Sequence, residues 1–197
     1  MTRTGRPRIH IIPETEIPSA CAALRLLDPF SYPAITEAFD VSVDIRPLES
    51  RPDILVMHRR GPPDMDEARV EDLVRSLKRT GTRLVYDLDD NLLDTHPDTA
   101  TELSLVPQRR LVRFLIRRAD RVTVSTAALR DRVRHLNPRV TVLPNALDER
   151  RFCPSAIRAT TGPMKIGYFG TYTHLRDLMS VVGELRAAFS RLCGRVT

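Results

Sequence analysis

The sequence alternates short apolar runs with longer amphipathic segments, and this alternation is the feature that most constrains its fold. The apolar runs, which have the composition of β-strands, lie at 8–12, 41–45, 53–58, 83–88, 121–125 and 140–143. The segments with helical periodicity lie at 19–27, 64–80, 107–118 and 126–136. Strands that alternate with helices build right-handed βαβ units. The pattern therefore predicts an α/β fold with a mainly parallel, Rossmann-like sheet.

Residues 64–80 carry the clearest helical signal. Asp64 and Glu67 have the spacing of a capping box, and Gly81 supplies a stop signal. The apolar residues between them recur at helical spacing and are Val70, Leu73, Val74 and Leu77. Pro107 is predicted to open the next helix, because proline is favoured at the first helical position.

The periodic pattern breaks once and then restarts. Residues 149–163 lose all periodicity and are predicted to form a linker. A strand at Lys165–Phe169, a glycine and a long helix with one apolar stripe follow. One strand and one helix cannot form a sheet. We therefore predict a domain at 1–148, a linker, and at 164–197 the first βα unit of a second Rossmann-like domain that is cut short.

Composition limits the classes of partner. The chain has 31 basic and 25 acidic residues and a net charge of +6, which suits polyanions or an anionic membrane surface. Aromatic residues make up 5% and no zinc-finger spacing occurs, so no nucleic-acid partner is expected. The three cysteines form no CxxC pair, which favours a reducing compartment and no zinc. Since no apolar run reaches the roughly 20 residues of a membrane span, we expect a cytoplasmic protein.

Residues 107–121, PQRRLVRFLIRRADR, place arginines around an apolar stripe. A basic amphipathic helix can lie on anionic lipid, which would give the protein a peripheral contact with the inner face of the membrane. The alternative is a helix that covers the sheet and keeps its arginines in water. The sequence leaves both interpretations open.

Residues 83–94, RLVYDLDDNLLD, run from an apolar strand into four acids, which are Asp87, Asp89, Asp90 and Asp94. Three interpretations compete: an aspartyl nucleophile, a divalent-metal cluster, or a polar strand end that lines a cleft. Ligands of parallel sheets bind at the carboxyl ends of the strands, which favours the cleft. Side chains at i and i+2 of a strand share a face and that at i+3 does not, which argues against a metal site.

The stretch also resembles the DxD motif of haloacid dehalogenase-type phosphatases, with Asp87 as nucleophile and Asp89 as general acid/base. The rest of that pattern is missing. Asn91 stands where the motif has threonine or valine, Lys165 is the only later lysine, and no acidic pair follows a later strand.

Four stretches taken together, RLVYDLDDNLLD, RRADRVTVSTAALRDRV, RVTVLPNALDERRF and KIGYFGTYTHLRDL, resemble in order the GT-B glycosyltransferases of family 4. The resemblance covers roughly residues 53–190. It implies two Rossmann-like domains facing a cleft, the first binding an acceptor and the second a nucleotide sugar. The implied reaction transfers a sugar from a nucleotide-sugar donor to a glycan or lipid-linked acceptor, without a cofactor.

The resemblance also implies site residues. Those on the acceptor side of the cleft are Asp87, Asp89, Asp90 and Ser125. Those next to the donor diphosphate are Gly170, Thr171 and His174, at a strand-to-helix turn where backbone N–H groups favour anions. An ordinary turn glycine and a solvent-facing histidine are the alternatives for Gly170 and His174. No catalytic residue is assigned.

Three departures from the family pattern bear on function. Tyr86-Asp87 stands where members often carry a histidine, and PETEIPSA replaces a glycine-rich loop. The Glu-x7-Glu element and the basic residues that hold the donor lie beyond Thr197. We therefore expect this chain to be weakly active or inactive alone. The alternative is a non-catalytic module that needs a partner subunit.

Overall fold

Six parallel strands form a single sheet in the computed structural model. The strands are β1 (Arg8–Ile12), β2 (Asp40–Val43), β3 (Ile54–His58), β4 (Arg83–Leu88), β5 (Arg121–Val124) and β6 (Val140–Val142). Their order across the sheet is β2-β1-β3-β4-β5-β6, and every neighbouring pair is parallel. The predicted α/β class and the parallel, Rossmann-like sheet are confirmed.

The structure describes residues 5–17, 19–46, 51–94, 101–153, 167–168 and 175–192, and only the backbone of 101–105 and 176. The chain divides into two compact units, Met1–Phe152 and Cys153–Thr197. The sheet belongs to the first unit. Four residues of the predicted linker, 149–152, lie inside that unit. The predicted domain boundaries stay predictions.

Helices connect the strands. They are α1 (Ala20–Ala22), a π-helical turn (Ala23–Leu27), α2 (Asp28–Phe30), α3 (Pro33–Ala38), α4 (Glu67–Thr80), α5 (Thr101–Arg118) and α6 (Ala127–Val133), with α7 (Leu175–Leu192) in the second unit. The connections through α4, α5 and α6 step along the sheet in one direction, and that from β1 to β2 steps the other way. Right-handed crossovers therefore put α4–α6 on one face and α1–α3 on the opposite face.

An apolar cluster lies between each face of the sheet and the helices that pack on that face. The larger cluster lies beneath α4–α6 and includes Met57, Val74, Leu88, Leu115 and Val124, all buried. The smaller one lies beneath the first helices and consists of Ile9, Ile11, Leu26 and Val56. Strands β3 and β4 contribute to both clusters, which explains their nearly continuous apolar sequences.

Helix α4 begins at a different cap from the one predicted. The side chain of Asp66, not Asp64, accepts a hydrogen bond from the backbone N–H of Arg69 at 2.8 Å. Asp64 lies two residues earlier and pairs with the Arg69 side chain instead. The predicted stop is correct: Gly81 has φ of 72° in the left-handed region, and its N–H bonds back to the last turn.

The prediction that Pro107 opens a helix is wrong. Helix α5 begins at Thr101 and contains Pro107 in its interior. Proline in a helix interior removes one backbone hydrogen bond, yet the helix continues on both sides of Pro107. The first helical segment also exceeds its prediction of 19–27, since Ser19 caps it and it continues as far as Phe30. Its middle is the wider π-helical turn, a feature that often accompanies functional sites.

The second unit contains the predicted long helix, as α7. On its predicted apolar stripe, Leu175, Phe189 and Leu192 are exposed. The predicted strand Lys165–Phe169 lies outside the described residues, apart from Gly167 and Tyr168, which are exposed.

Candidate functional site

The strand order creates a crevice at the carboxyl ends of β1 and β3. The chain leaves β1 toward one edge of the sheet and returns to β3 on the other side of β1, so the loops after these two strands diverge. Ligands of open parallel sheets bind at such switch points. Glu14 follows β1, and His58, Arg59 and Arg60 lie at the end of β3 and beyond it. Asp87 stands beside His58 in the register of β3 with β4.

Asp87 is buried and fully engaged by its neighbours. Asp87 is only 1% exposed to solvent. The Arg25 guanidinium donates to Oδ1 at 2.5 Å and to Oδ2 at 3.3 Å. The Thr123 hydroxyl adds a hydrogen bond to Oδ1 at 2.6 Å. Because both oxygens are occupied away from solvent, Asp87 is geometrically unsuited to attack a phosphate ester, as the phosphatase alternative requires.

Arg25 joins three distant parts of the chain. Besides Asp87, its guanidinium donates to the backbone carbonyl of Leu143 and, at 3.3 Å, to the Asn145 side chain. Leu143 and Asn145 follow β6. The π-helical turn carries Arg25 on the face of the sheet opposite α4–α6. Arg25 therefore fixes the loop after β6 against the end of β4.

Asp89 and Asp90 share one arginine. Arg59 donates to Asp89 at 2.6 Å and 3.3 Å and to Asp90 at 2.7 Å. Burial alone would raise the pKa of Asp89, but the hydrogen bonds and the positive charge of Arg59 outweigh it, so the pKa lies well below its ordinary value. The Asp89 side chain is 7% exposed and that of Asp90 is 68% exposed. Of the two, Asp90 is the one open to a ligand.

Arg59 has a strained backbone. Its φ of 52° makes it the one residue other than glycine with positive φ in the part of the chain that is described. Such a conformation costs on the order of 1–3 kcal/mol and tends to occur at functional sites. It is held by a hydrogen bond of 2.9 Å from its N–H to the carbonyl of Asp87 and by the paired carboxylates.

His58 lies between the two acids without a hydrogen bond. The ring is fully buried, and neither nitrogen has a hydrogen-bond partner among the described residues. Nε2 is 3.9 Å from Asp87 and 3.7 Å from Asp89, distances that are too long for a hydrogen bond. Cys21 lies beside Asp89, where burial and the charge of that carboxylate raise the pKa of its thiol. The end of β3 thus buries a titratable ring against two acids.

A cavity of about 310 Å³ opens beside this network. Arg60 crosses it, with Nε 2.5 Å from Glu14 and a second nitrogen donating to Gln108 of α5. Met65 and Leu111 give it an apolar side. Its volume lies at the lower end of the range of small-ligand sites.

The remaining predicted acceptor-side residue lies in the same edge of the sheet. Ser125 follows β5, and its hydroxyl donates to the backbone carbonyl of Asp89 at 2.6 Å. Asp94, the last of the four acids, is about half exposed and pairs with Arg132 at 2.5 Å. Hydrogen bonding from Arg132 lowers its pKa.

The structure thus gathers Asp87, Asp89, Asp90 and Ser125 at one edge, although the role assigned to them stays a prediction. Gly170, Thr171 and His174 lie outside the described residues. Within the described ranges, no group of three or more His, Cys, Asp or Glu side chains is arranged to hold a metal ion.

Sequence reasoning missed several residues that build this edge, namely Glu14, Arg25, His58, Arg59 and Arg60. A usable signal existed for three of them, because HRR directly follows the apolar run of β3 at the predicted ligand edge. Arg25 offered none, since an arginine in a helix is usually solvated.

The arginines of α5 contact the neighbouring helix. Arg118 lies 2.8 Å from Glu71 of α4 and stacks over Phe114 at 4.8 Å, and Arg110 lies 3.5 Å from Glu67. Among the helices of the described residues, none is both long and apolar enough to cross a bilayer.

The fold and this edge define a Rossmann-like α/β domain with a ligand crevice at the carboxyl ends of its strands. The sequence matches the glycosyl transferase 4-like domain over residues 5–146, most of the chain and all six strands. The chain therefore belongs to the glycosyl transferase 4-like family, whose members act on sugar donors and acceptors. A search of curated proteins found no match.

Proposed function

We infer that residues 1–152 form the acceptor-binding half of a GT-B glycosyltransferase, which transfers a sugar from a nucleotide-sugar donor to a glycan or lipid-linked acceptor. The observation that carries this proposal is the polar network at the switch point of the sheet, with a cavity beside it, in a domain of this family. Residues 164–197 are assigned, in the same proposal, to the start of the nucleotide-sugar domain.

The network supports a binding role for this edge. The carboxylates of Asp87 and Asp89 are buried in ion pairs with Arg25 and Arg59, so they shape the edge and hold its loops in place. The more exposed polar groups, such as Asp90 and Arg60, lie toward the crevice and are better placed to touch an acceptor. Preorganised side chains of this kind fix the orientation of a bound substrate.

The proposal extends to the location of the protein. Cys21 is a free thiol, as is usual in a reducing compartment such as the cytoplasm. A peripheral contact with the inner membrane face is supported by the exposed arginines of α5, such as Arg113 and Arg117. A partner subunit is an alternative for which the described residues offer no specific observation.

Hydrogen–deuterium exchange of the full chain tests the proposal. The chain is incubated with a panel of oligosaccharides and saccharide-bearing lipids, and in a second arm with nucleotide sugars. We expect an acceptor to slow exchange in the segments after the strands, at 13–17, 59–63, 89–93 and 143–147. We expect a nucleotide sugar to slow exchange at 164–180.

Two variants sharpen this experiment. Asp90→Asn removes a carboxylate that is 68% exposed from the proposed crevice. Asp72→Asn is the control, because it removes a carboxylate that is 70% exposed from α4. The first should weaken acceptor binding severalfold and the second should leave it unchanged. Protection confined to the opposite edge of the sheet, or no protection by any saccharide, would contradict the proposal.

A further inference from the structure

We propose that the cavity crossed by Arg60 holds an uncharged sugar ring and that Glu14 excludes sugars bearing a carboxylate. This inference rests on the proposed function and concerns the same edge of the sheet. It assigns a selectivity to particular side chains, which family membership alone does not supply.

The cavity lies where the connections of β1 and β3 part. Glu14 and Thr15 come from the loop after β1, Arg60 and Gly61 from the loop after β3, and Gln108 from α5. Gly61 has φ of 65°, and a Cβ added there would lie 3.1 Å from the sulfur of Met57. The left-handed backbone and the closeness of buried Met57 therefore both favour glycine at this wall of the cavity.

The charge of the cavity is balanced internally. Among its nine lining residues, all within the described ranges, Glu14 and Arg60 are the two that carry a formal charge. Their side chains lie 2.5 Å apart, and Glu14 is only 14% exposed. Arg59 adds a longer contact of 3.7 Å to the other oxygen of Glu14, while its own charge is directed to Asp89 and Asp90. No cation of the cavity is left over for an anionic ligand.

The hydrogen-bonding groups that remain suit hydroxyls. Gln108 accepts from Arg60 with its Oε1, so its amide nitrogen can donate to a ligand. The Thr15 hydroxyl donates to the carbonyl of Ile17 and can accept from a ligand. Met65 and Leu111 offer an apolar surface to the C–H groups of a ring. Donors, acceptors and an apolar wall in one small cavity match a neutral sugar.

A hexuronate would meet a different environment. Its carboxylate would have to displace Glu14 from Arg60 or lie beside Glu14 as a like charge in a partly buried site, and both are unfavourable. Exclusion of the wrong ligand by a fixed like charge is an established route to specificity. Glu14 is therefore the residue whose charge sets the selectivity, and Gln108 is a contact for the neutral ring.

The test compares neutral and acidic sugars on the full chain. Methyl glycosides of glucose, galactose and mannose are titrated by saturation-transfer difference NMR beside the methyl glycosides of glucuronate and galacturonate. We expect at least one neutral glycoside to bind and its uronate to bind at least tenfold more weakly. Glu14→Gln, which frees Arg60, should bring the uronate to within about threefold of the neutral glycoside, or tighter.

Glu16→Gln is the matched control. Glu16 is exposed, lies two residues away and does not line the cavity, so the selectivity should stay at the wild-type value. Gln108→Ala provides a second route if Glu14→Gln does not fold, as judged by circular dichroism. It should weaken the neutral glycoside about tenfold and leave the exclusion of the uronate intact.

Several outcomes would overturn this inference. They are equal binding of both sugars by the wild-type chain, unchanged selectivity in Glu14→Gln, an equal effect of Glu16→Gln, neutral binding that survives Gln108→Ala, or no binding of any glycoside. The exchange experiment separates this from failure of the proposed function. One further outcome is that a saccharide slows exchange in the segments after β4, β5 or β6 but not at 13–17 and 59–63. The acceptor would then bind at this edge of the sheet, and the cavity would not be part of its binding site.

Discussion

Buried ion pairs connect the individual residues of this edge, and their energetics differ from those of surface pairs. Arg25 and Asp87 have side chains only 3% and 2% exposed. Breaking such a pair leaves one charge in a place where water cannot solvate it. Surface pairs such as Arg75 with Asp72, whose side chains are 64% and 70% exposed, contribute little.

Arg25→Met should therefore destabilise the chain by about 3–5 kcal/mol, because it leaves Asp87 buried and unpaired. Adding Asp87→Leu should restore much of the loss, since an apolar pair can replace a buried ion pair. Arg75→Met should change the stability by less than about 0.5 kcal/mol. Urea denaturation at pH 7 measures all four chains. Equal effects of the two single arginine variants would show that the Arg25 pair is not buried in solution.

Asp89 should make the free energy of unfolding depend on pH in the acid range. Its pKa is lower in the folded chain than in the unfolded one, so its ionised form stabilises the fold fully above about pH 4, near the ordinary pKa. That contribution is lost as the pH falls below about 4, toward the folded pKa. Asp89→Asn should cost about 2 kcal/mol at pH 7, the scale of a lost charged hydrogen bond.

The cost of Asp89→Asn should shrink as the pH is lowered, because the wild-type chain then loses the same contribution. Urea denaturation of both chains between pH 3 and pH 7 measures this convergence. A difference in unfolding free energy that stayed constant over that range would contradict the assigned linkage.

At the scale of elements, the sequence predicted what depends on local periodicity and missed what depends on distant contacts. Strand β4 and helix α4 follow from apolar spacing alone, and Gly81 ends α4 as predicted. The onset of α5 was missed because proline is a strong local signal for a helix start. Arg25 was missed because its partners are 62 and 118 residues away. The left-handed backbone of Arg59 was missed because arginine has no preference for it.

The start of α4 gives an element-scale prediction. Asp66→Ala removes the side chain that accepts from the N–H of Arg69 and should cost about 1 kcal/mol. Asp64→Ala removes a surface contact with the Arg69 side chain, where Asp64 is 69% exposed, and should cost less than about 0.5 kcal/mol. Thermal unfolding followed by circular dichroism compares the two. A larger loss of stability in Asp64→Ala than in Asp66→Ala would show that Asp64 is the cap.

At the scale of the whole molecule, the first unit contains the complete sheet and both apolar clusters. Its last residues are fastened to the first helices. Arg150 donates to the Ser31 hydroxyl at 2.9 Å and stacks over Tyr32 at 4.7 Å, and Arg151 lies 2.9 Å from Asp28. Hydrogen bonding from Arg150 also lowers the pKa of Asp148 to about 2. The anchored segment therefore extends beyond the predicted boundary at residue 148.

A fragment of residues 1–153 should fold cooperatively alone. A fragment of residues 1–148 should fold with a lower midpoint, by about 4 °C or more, because it lacks the contacts of Arg150 and Arg151 with the first helices. Differential scanning calorimetry of the two fragments measures the difference. Equal midpoints would place the start of the linker at 149, as the sequence suggested.

The bond from Arg25 to Leu143 also has a kinetic consequence. It closes a loop of 118 residues, and the pairing with Asp87 closes one of 62. Contacts that span so much chain form slowly, because the entropy of loop closure opposes them until the intervening strands are in place. The edge that carries the candidate site is thus expected to assemble after the rate-limiting step. Changes at Arg25 should then mainly accelerate unfolding and leave the folding rate nearly untouched.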